Sequence, residues 1–436
     1  MLISNIDLLN TLSSAEISAN ANHGREIPRT FYDRRLGEVW SRARASKAYA
    51  HLSDYSFDSF QLLPTTDKDE IKKNPWDFII DDGSGAVKYY ETTGTSGLVT
   101  PTPRTADDII WNTVSVARAW LDLLRDDDRV AVLLPSDIVP VADLIAGVCE
   151  YRRITHTRNY PFTTGVSDWD RLIRLWEVYR PTVLFGAPGL ALQLMRLLQH
   201  RGIFTDVAAH IRAIMLLGEV STPALRDRLG SWWGAEVFDA SYGSTETGTL
   251  AAACDHDRQH LMTATNYFEL SDGNQVSPLE STDSGILVTT PLNLFARPLL
   301  RLDTGDEVTV HRDCSCGNLA PSITVHGRSS DAVTIAGNPL TIRSVEDVVY
   351  GATAATGYLI EIDSEGQRAR ILLERGYNTN RLNEDEQIAD LQNRSEFALG
   401  FRWHQSIFVN SLPVITKSGG SQKSWKRSNI RVLEAL

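Results

Sequence analysis

The chain has 436 residues, with 43 Lys and Arg against 55 Asp and Glu, a formal net charge of −12 and 42% hydrophobic residues. This composition excludes a disordered chain, and the acidic total argues against a nucleic-acid scaffold, which needs clustered Lys and Arg. No run of about 18 apolar residues is present, and Asp7 interrupts the stretch where a secretory signal would be apolar. We therefore expect a cytoplasmic protein without a nucleic-acid or membrane partner, and we keep a homodimer open.

Helices and short strands alternate along the predicted chain. Residues 1–60 have helical spacing without strand alternation and form a predicted helical cap region. A helix is predicted over 106–124, capped by Thr105 with Asp108 three residues on, and another from Pro188 to Gly202. Short runs of β-branched and apolar residues predict strands at 86–91, 129–134, 182–187, 213–218, 236–241 and 285–290.

This alternation predicts an α/β fold with a large N-terminal domain, whose mixed or parallel sheets are flanked by helices, and a small mobile α+β C-terminal domain. After residue 327 the pattern changes to shorter elements with a charged helix around 383–397. We therefore predict domains at 1–327 and 328–436. Ligands bind at the carboxyl ends of parallel strands, so functional residues are expected in the loops that follow them.

A loop rich in Thr, Ser and Gly follows the predicted strand at 86–91. Glycines let the backbone approach an anion closely, and successive N–H groups and hydroxyls donate hydrogen bonds to it. The loop lacks the GK[ST] sequence of a P-loop, which disfavours ordinary phosphoryl transfer. Polyphosphate binding is predicted here, with a polar surface turn as the alternative, for Thr92, Thr93, Gly94, Thr95, Ser96 and Gly97.

Further motifs follow in a fixed order. They are LLPTTDKDEI at 62–71, TTGTSGLVT at 92–100, LLGE at 216–219, SYGSTETG at 241–248, RLDTGDEV at 301–308 and HGRSSDAVTIAGNPL at 326–340. In content and order they resemble the motifs of the adenylate-forming superfamily, and most closely its phenylacetate–CoA ligase-like branch. The resemblance identifies 1–327 as the adenylate-forming core and 328–436 as a C-terminal lid.

The resemblance implies an AMP-forming ligase. Such an enzyme uses ATP and Mg²⁺ to convert a small carboxylic acid to an acyl-adenylate with release of pyrophosphate, then transfers the acyl group to a nucleophile, by default coenzyme A. An amine or a carrier protein is the alternative acceptor. A nucleotide-binding homologue with weakened turnover is the other interpretation.

The SYGSTETG motif contains groups suited to a nucleotide. The ring of Tyr242 can stack on a heterocycle, Gly243 permits close backbone approach, and Thr245 and Glu246 are polar groups for the phosphates. By resemblance Glu246 binds Mg²⁺, although it could instead be a solvated loop residue. The resemblance also assigns Ser241 and Ser244 to the nucleotide site.

The resemblance also implies that residues of the other motifs bind the nucleotide. Asp306 is expected to accept hydrogen bonds from the ribose hydroxyls, and Arg328 to reach the same ribose; an ordinary ion pair is the alternative for both. Gly218 and Glu219 are expected to border the adenine, unless they form an ordinary turn.

Three of the four cysteines and one histidine have spacing typical of a metal site: Cys254, His260, Cys314 and Cys316. Tetrahedral Zn²⁺ with three thiolates and one imidazole would be a closed, structural site. The phenylacetate–CoA ligase-like group shows a similar arrangement. His256 competes as the fourth ligand, free buried cysteines are the alternative, and Cys149 is predicted to lie in the core.

The C-terminal tail departs from the family pattern. Adenylate-forming enzymes place a lysine after a glycine pair, where its charge stabilises the transition state, but Ser421 follows Gly419 and Gly420 here. Lys423 and Lys417 are the candidate substitutes, and we predict Lys423 as catalytic with Glu246 and Thr245. A solvated basic tail is the alternative.

The acid pocket is expected between the helix of 106–124, the loops at 135–144 and 185–189, and the backbone around Ser241 and Gly243. Asp137 could pair with an amino group on the acid, or could simply cap a turn. With Ala187 and Pro188 it forms the predicted acid-binding set, and an aromatic or amino-bearing carboxylic acid is the expected class.

Overall fold

The computed structural model describes residues 5–92, 99–163, 165–219, 221–328, 333–376, 383–412 and 429–434. The helices are α1 (Ile6–Asn22), α2 (Arg29–Ala43), α3 (Phe57–Leu62), α4 (Lys68–Lys73), α5 (Ala106–Ala119), α6 (Val141–Arg152), α7 (Trp169–Tyr179), α8 (Pro188–His200), α9 (Phe204–Ala208), α10 (Pro223–Trp233), α11 (Ile342–Ala352) and α12 (Glu384–Leu399). Short 3₁₀ turns lie at Pro75–Phe78, Ile80–Gly83 and Leu279–Ser281.

Most of the strands are short, as expected for segments bounded by turn residues. They are β1 (Lys88–Glu91), β2 (Pro101–Arg104), β3 (Arg129–Val132), β4 (Thr155–Arg158), β5 (Val183–Gly186), β6 (Ala213–Leu216), β7 (Glu236–Asp239), β8 (Ser241–Ser244), β9 (Gly248–Ala253), β10 (Gln259–Leu261), β11 (Asn266–Ser271), β12 (Val276–Pro278), β13 (Ser284–Pro291), β14 (Leu302–His311), β15 (Ser322–Arg328), β16 (Val333–Ile335), β17 (Asn338–Leu340), β18 (Gly357–Asp363), β19 (Ala369–Glu374), β20 (Gln405–Val409) and β21 (Ile430–Leu433). Strands β13 and β14 are the longest of those described.

Residues 1–160 and 239–325 form one compact unit. It contains an eight-stranded sheet in the order β12-β11-β13-β14-β15-β10-β9-β8, the β1–β2 hairpin and the parallel pair β3–β4. Helix α5 packs against α1, α6 and β9. A second apolar cluster joins α2, the 57–78 segment and the chain before β14, with Trp40, Phe60 and Leu300 at its centre.

Residues 161–238 and 326–436 form the other compact unit. Its first part has β5 and β6 in parallel, with helices α7 to α10 around them in sequence. Its C-terminal part has a four-stranded sheet in the order β20-β19-β18-β21, a β16–β17 hairpin and helices α11 and α12, which pack on each other. Strand β18 is antiparallel to β19 and parallel to β21.

This architecture confirms the predicted α/β class with a distinct α+β C-terminal region. All six predicted strands are present, and α8 and α12 form where a helix was expected. The domain boundary at 327–328 and the mobility of the C-terminal domain stay predictions. Within the described residues, the helices are too short or too polar to cross a membrane.

Helix α5 begins as predicted but ends early. The Thr105 hydroxyl accepts a hydrogen bond from Asp108 N–H, and the Asp108 carboxylate accepts one from Thr105 N–H at 2.6 Å, which makes the expected capping box. The prediction that the helix extends to residue 124 was wrong. The helix ends at Ala119 because Trp120 leaves helical geometry, and its buried indole N–H donates to the Ala240 carbonyl at 3.0 Å.

Candidate active site

The turn between β8 and β9 holds Glu246 in a buried position. Gly243 makes this turn possible, because a Cβ atom there would lie 2.2 Å from the Gly248 carbonyl oxygen. The Ser244 N–H donates to the Thr247 hydroxyl at 3.2 Å and closes the turn. Glu246 is only 9% exposed. The alternative of a solvated loop residue is therefore wrong for Glu246 in this structure.

Three basic side chains surround the Glu246 turn. Burial by itself would raise the pKa of Glu246, but the charges of Lys68 and Arg297, with hydrogen bonds in the turn, outweigh it and hold the pKa below its ordinary value. The Arg104 Nη2 atom donates to the carbonyls of Thr245 and Glu246 at 2.7 and 3.0 Å. The carboxylate is therefore ionised at neutral pH, the state that a magnesium ion needs.

Arg297 and Arg104 also fix the strand that leaves the phosphate loop. Arg297 is fully buried and donates to the Pro101 carbonyl at 2.8 Å and to the Thr102 hydroxyl at 3.0 Å. Burial lowers its pKa to about 10, so it stays charged near neutral pH. Sequence reasoning missed both arginines because neither lies in a recognised motif. Arginine side chains are mostly exposed in proteins, so an isolated arginine in a single sequence does not predict a buried side chain.

The ends of the predicted phosphate loop are joined. The Thr92 N–H donates to the Thr100 carbonyl at 3.1 Å, and the Thr92 hydroxyl accepts from the Thr100 N–H at 3.0 Å. The other predicted loop residues, 93–97, lie outside the described residues. The neck of the loop is thus built by the β1–β2 hairpin, with Thr92 at its start.

The predicted ribose and adenine residues of the first unit lie together. The Tyr242 hydroxyl donates to the Asp306 carboxylate at 2.8 Å, and Asp306 N–H donates to the Thr304 hydroxyl at 3.2 Å. Ser241 and Ser244 lie on the same strand, β8, as Tyr242. The motifs at 241–248 and 301–308 therefore meet at one place, as their assignment to one ligand requires.

The LLPTTDKDEI segment docks beside Asp306. Thr66 is buried, its N–H donates to the Arg301 carbonyl at 2.9 Å, and its hydroxyl donates to the Leu300 carbonyl at 2.8 Å. The Lys68 ammonium donates to the Thr304 carbonyl. This contact explains how a motif at the start of the chain supplies positive charge to the Glu246 region.

The remaining predicted residues occupy other positions. In the second unit, Ala187 and Pro188 follow β5, and Gly218 and Glu219 follow the neighbouring parallel strand β6, so both pairs lie at the carboxyl edge of these strands. Arg328 ends β15. Asp137 is exposed in the turn between β3 and α6. Lys423 lies outside the described residues.

The four predicted zinc ligands meet in the first unit. One ligand atom from each of Cys254, His260, Cys314 and Cys316 lies within 4.8 Å of all the others. The Sγ atoms of Cys254 and Cys314 are 3.9 Å apart, and His260 Nε2 lies 3.3 Å from the Sγ of Cys316. His256 pairs instead with Asp255 at 2.8 Å, and Cys149 is buried in the core as predicted.

Hydrogen bonding prepares this cluster for a metal ion. His260 Nδ1 lies 2.6 Å from the Ala320 carbonyl, which accepts only from a protonated nitrogen, so the Nε2 lone pair points to the thiols. Burial lowers the pKa of His260 and raises the pKa of Cys254 to about 12. The cluster therefore presents a neutral imidazole and three half-buried thiols, a donor set that fits Zn²⁺.

A cavity of about 70 Å³ lies in the first unit. Residues of α5, the start of α6 and the segment 247–249 line it. Two of the segments expected to form the acid pocket, 106–124 and 135–144, thus contribute to it. Ser241 and Gly243 do not.

Comparisons with known proteins show which family the chain belongs to. The family model described as AMP-binding enzyme matches residues 41–267. The phenylacetate-coenzyme A ligase of Thermus thermophilus is 27% identical over 213 residues, which are 47% of this chain and 47% of that enzyme. The matched region is therefore about half the length of this curated relative.

Solved structures share the fold. A 2-hydroxyisobutyryl-CoA ligase in the postadenylation state, in complex with 2-HIB-AMP, gives a TM-score of 0.72 at 18% identity, over 98% of this chain and 88% of that one. An anthranilate CoA ligase in complex with anthranoyl-AMP gives 0.52 at 16% identity, over 78% and 65%. These identities show the fold alone. With more than half of its length matched by the family model, the chain belongs to the AMP-binding enzymes.

Proposed function

We propose that this protein is an AMP-forming ligase, which activates a small carboxylic acid with ATP and transfers the acyl group to coenzyme A. The observation that carries the proposal is the buried, ionised Glu246 among Arg104, Arg297 and Lys68, beside the strands that frame the phosphate loop. The relative named as a phenylacetate-coenzyme A ligase supports the same reaction class.

The proposed nucleotide site is built around the contact between Tyr242 and Asp306. Tyr242 would stack on the adenine while Asp306 accepts hydrogen bonds from the ribose, and Thr92 with the following loop would hold the phosphates. Glu246 would hold a magnesium ion, which would neutralise phosphate charge. Gly218, Glu219 and Arg328 are proposed to complete the adenine and ribose contacts.

The proposed reaction has two steps. A carboxylate oxygen of the acid attacks the α-phosphorus of ATP, the bond to the β-phosphate oxygen breaks, and pyrophosphate leaves. The thiolate of coenzyme A then attacks the acyl carbon, and AMP leaves with the electron pair of the broken acyl–oxygen bond. Fixed positive charge near the phosphates stabilises the transition state of the first step.

The lining of the cavity and the position of Asp137 bear on the class of acid. Trp111 in the cavity wall supports an aromatic or flat acid. The amino-bearing form depends on Asp137, which is exposed. A panel of aryl, alkyl and amino acids, with ATP-dependent pyrophosphate release and mass detection of the adenylate, tests the activity and the class. Adding coenzyme A, a simple amine or a carrier protein then identifies the acceptor.

The catalytic lysine is the next prediction. Ser421 stands where related enzymes have a lysine, and we propose that Lys423, in the proposed lid of residues 328–436, supplies the missing positive charge. Lys423→Ala should therefore lower pyrophosphate release by about 10²-fold. Lys417→Ala is the matched control and should change it by less than about threefold. If Lys423→Ala retains activity, the assignment of Lys423 is refuted. Nucleotide binding without pyrophosphate release from any acid would instead favour the nucleotide-binding alternative suggested by Ser421.

We also propose a structural zinc ion bound by Cys254, His260, Cys314 and Cys316. It would join the segment after the Glu246 turn to the segment after β14, which the sequence separates by 60 residues. Such a closed site contributes to folding because the ligands are assembled only in the native state.

Elemental analysis of the purified protein should give about one zinc per chain. Cys314→Ser should abolish the zinc and lower the melting temperature, whereas His256→Ala should retain the full zinc content. A zinc-free protein with an unchanged melting temperature would show that the cysteines are simply buried.

A further inference from the structure

Three residues that line the cavity beside α5 each carry a hydrogen-bond donor that has no partner in the part of the chain that the structure describes. These three residues are more than nine-tenths buried: Arg104 and Ser115 are each 6% exposed and Asn293 is 7% exposed. Among the described residues, nothing bonds to Arg104 Nη1, Ser115 Oγ or Asn293 Nδ2. Leaving such groups unpaired costs stability, so three of them in one cavity indicate that something else completes them.

The carboxylates of the same cavity are already engaged. Asp143 accepts from Lys88 at 2.7 Å, from Tyr90 at 2.8 Å and from Arg158 at 2.9 Å. Asp108 accepts from the N–H groups of its own helix cap and of Phe295. An ammonium group on a bound acid would therefore have to compete with these partners for the carboxylates. A hydrogen-bond acceptor on the acid could instead bind the donors that have no partner among the described residues.

The cavity also lies next to the proposed reaction centre. Thr247 and Gly248, which line it, directly follow Glu246. Arg104 connects the two places, since its Nη2 donates to the carbonyls of Thr245 and Glu246 while its Nη1 has no partner among the described residues. Trp111 and Leu294 offer apolar surface for a carbon skeleton.

We propose that this cavity receives the body of the acid substrate, and that Arg104, Ser115 and Asn293 select acids with a second acceptor group, such as a hydroxyl, oxo or carboxylate oxygen. The inference rests on the proposed function and narrows its substrate class. Hydroxy-, oxo- and dicarboxylic acids fit the unused donors better than amino acids do. Ser115 and Asn293 are the residues to test, because Arg104 also holds the Glu246 turn.

The experiment compares matched acids on the full chain: butyrate with 3-hydroxybutyrate, and benzoate with hydroxybenzoates. For the wild type, kcat/KM for pyrophosphate release should be about tenfold higher for the acceptor-bearing member of at least one pair. Ser115→Ala should reduce this preference about fivefold through KM. Without acid its melting temperature should be unchanged or higher, because an unpaired buried hydroxyl is removed.

Asn293→Asp removes the unpaired donor but keeps an acceptor oxygen for its bond from Arg35. It should shift the preference toward amino-bearing acids. Ser46→Ala is the matched control, because Ser46 is also buried but donates to the Ala43 carbonyl at 2.7 Å outside the cavity. This control should lower the melting temperature and leave the acid preference unchanged.

Equal turnover of matched acids, or an unchanged preference in both cavity variants, would overturn the inference and indicate that water fills the cavity. That result would leave the ligase proposal intact. If no acid yields pyrophosphate, the ligase proposal fails instead. Calorimetric titration of the same acids then decides the cavity question: binding that Asn293→Asp abolishes supports it, and absence of binding refutes it.

Discussion

Replacing Glu246 by alanine is expected to lower ATP-dependent pyrophosphate release by about 10²-fold or more. Burial alone would raise the pKa of Glu246, yet Lys68 and Arg297 hold it below the ordinary value, so the wild-type carboxylate is charged at neutral pH. Alanine removes the only side-chain charge that the turn at 245–247 offers to a magnesium ion. It also removes one of the acidic neighbours of the buried Arg104 and Arg297, for which Asp108 remains.

The controls for this prediction separate charge from packing. Glu246→Gln keeps the shape and removes the charge, so it should lose nearly as much activity as the alanine variant. Glu280→Ala, at an exposed position, should have wild-type activity. Activity of Glu246→Ala within about threefold of wild type, at saturating magnesium, would contradict the assignment.

Replacing Arg301 by alanine is expected to reduce the free energy of unfolding by about 3–5 kcal/mol. Arg301 and Glu269 are 4% and 2% exposed, and the guanidinium donates to both carboxylate oxygens of Glu269 at 3.0 Å. Another nitrogen of Arg301 donates to the carbonyls of Gln61 and Leu63. The variant leaves the buried Glu269 carboxylate without its guanidinium partner and removes the hydrogen bonds to the segment before Thr66. Chemical denaturation should therefore show a large decrease in the free energy of unfolding.

A double variant tests the cause. If the loss of stability arises from the buried, unpaired charge of Glu269, the double variant Arg301→Met with Glu269→Leu should be more stable than Arg301→Ala alone. Arg34→Ala, which breaks an exposed pair with Glu38, should cost less than about 1 kcal/mol. A loss below about 1 kcal/mol for Arg301→Ala would mean that the buried pair contributes little.

The sequence predicted those parts of the site that depend on local pattern. Thr105 and Asp108 formed the expected helix cap, because both partners of a capping box lie within one turn. The order of motifs anticipated that Tyr242 and Asp306 would meet, although 64 residues separate them. The sequence also anticipated that Cys254, His260, Cys314 and Cys316 would lie together, because few cysteines were available to choose from, whereas zinc binding itself stays a prediction.

The sequence could not predict the long-range polar contacts. Arg104 and Arg297 donate to backbone carbonyl oxygens of distant segments. Every residue has a backbone carbonyl, so the sequence does not indicate which one an arginine will bind. The end of α5 was misjudged because Leu121 keeps helical spacing with the apolar residues Val114 and Ala117 but is 43% exposed. The contact of the Trp120 indole with the Ala240 carbonyl depends on the tertiary fold. The spacing of apolar residues predicts which face of a helix is buried, but the end of the helix depends on tertiary contacts.

The chain on both sides of the lysine-bearing tail is anchored in the C-terminal sheet. The Leu412 N–H donates to the carboxylate of Glu374 at 3.2 Å, and the Asn429 carbonyl accepts from the Ile360 N–H at 2.7 Å, at the start of β21. Both candidate lysines, Lys417 and Lys423, lie in the sequence between these two anchors. A lysine at either position therefore belongs to a segment that the C-terminal sheet holds at both ends, which makes strict motif spacing a poor criterion for declaring a homologue inactive.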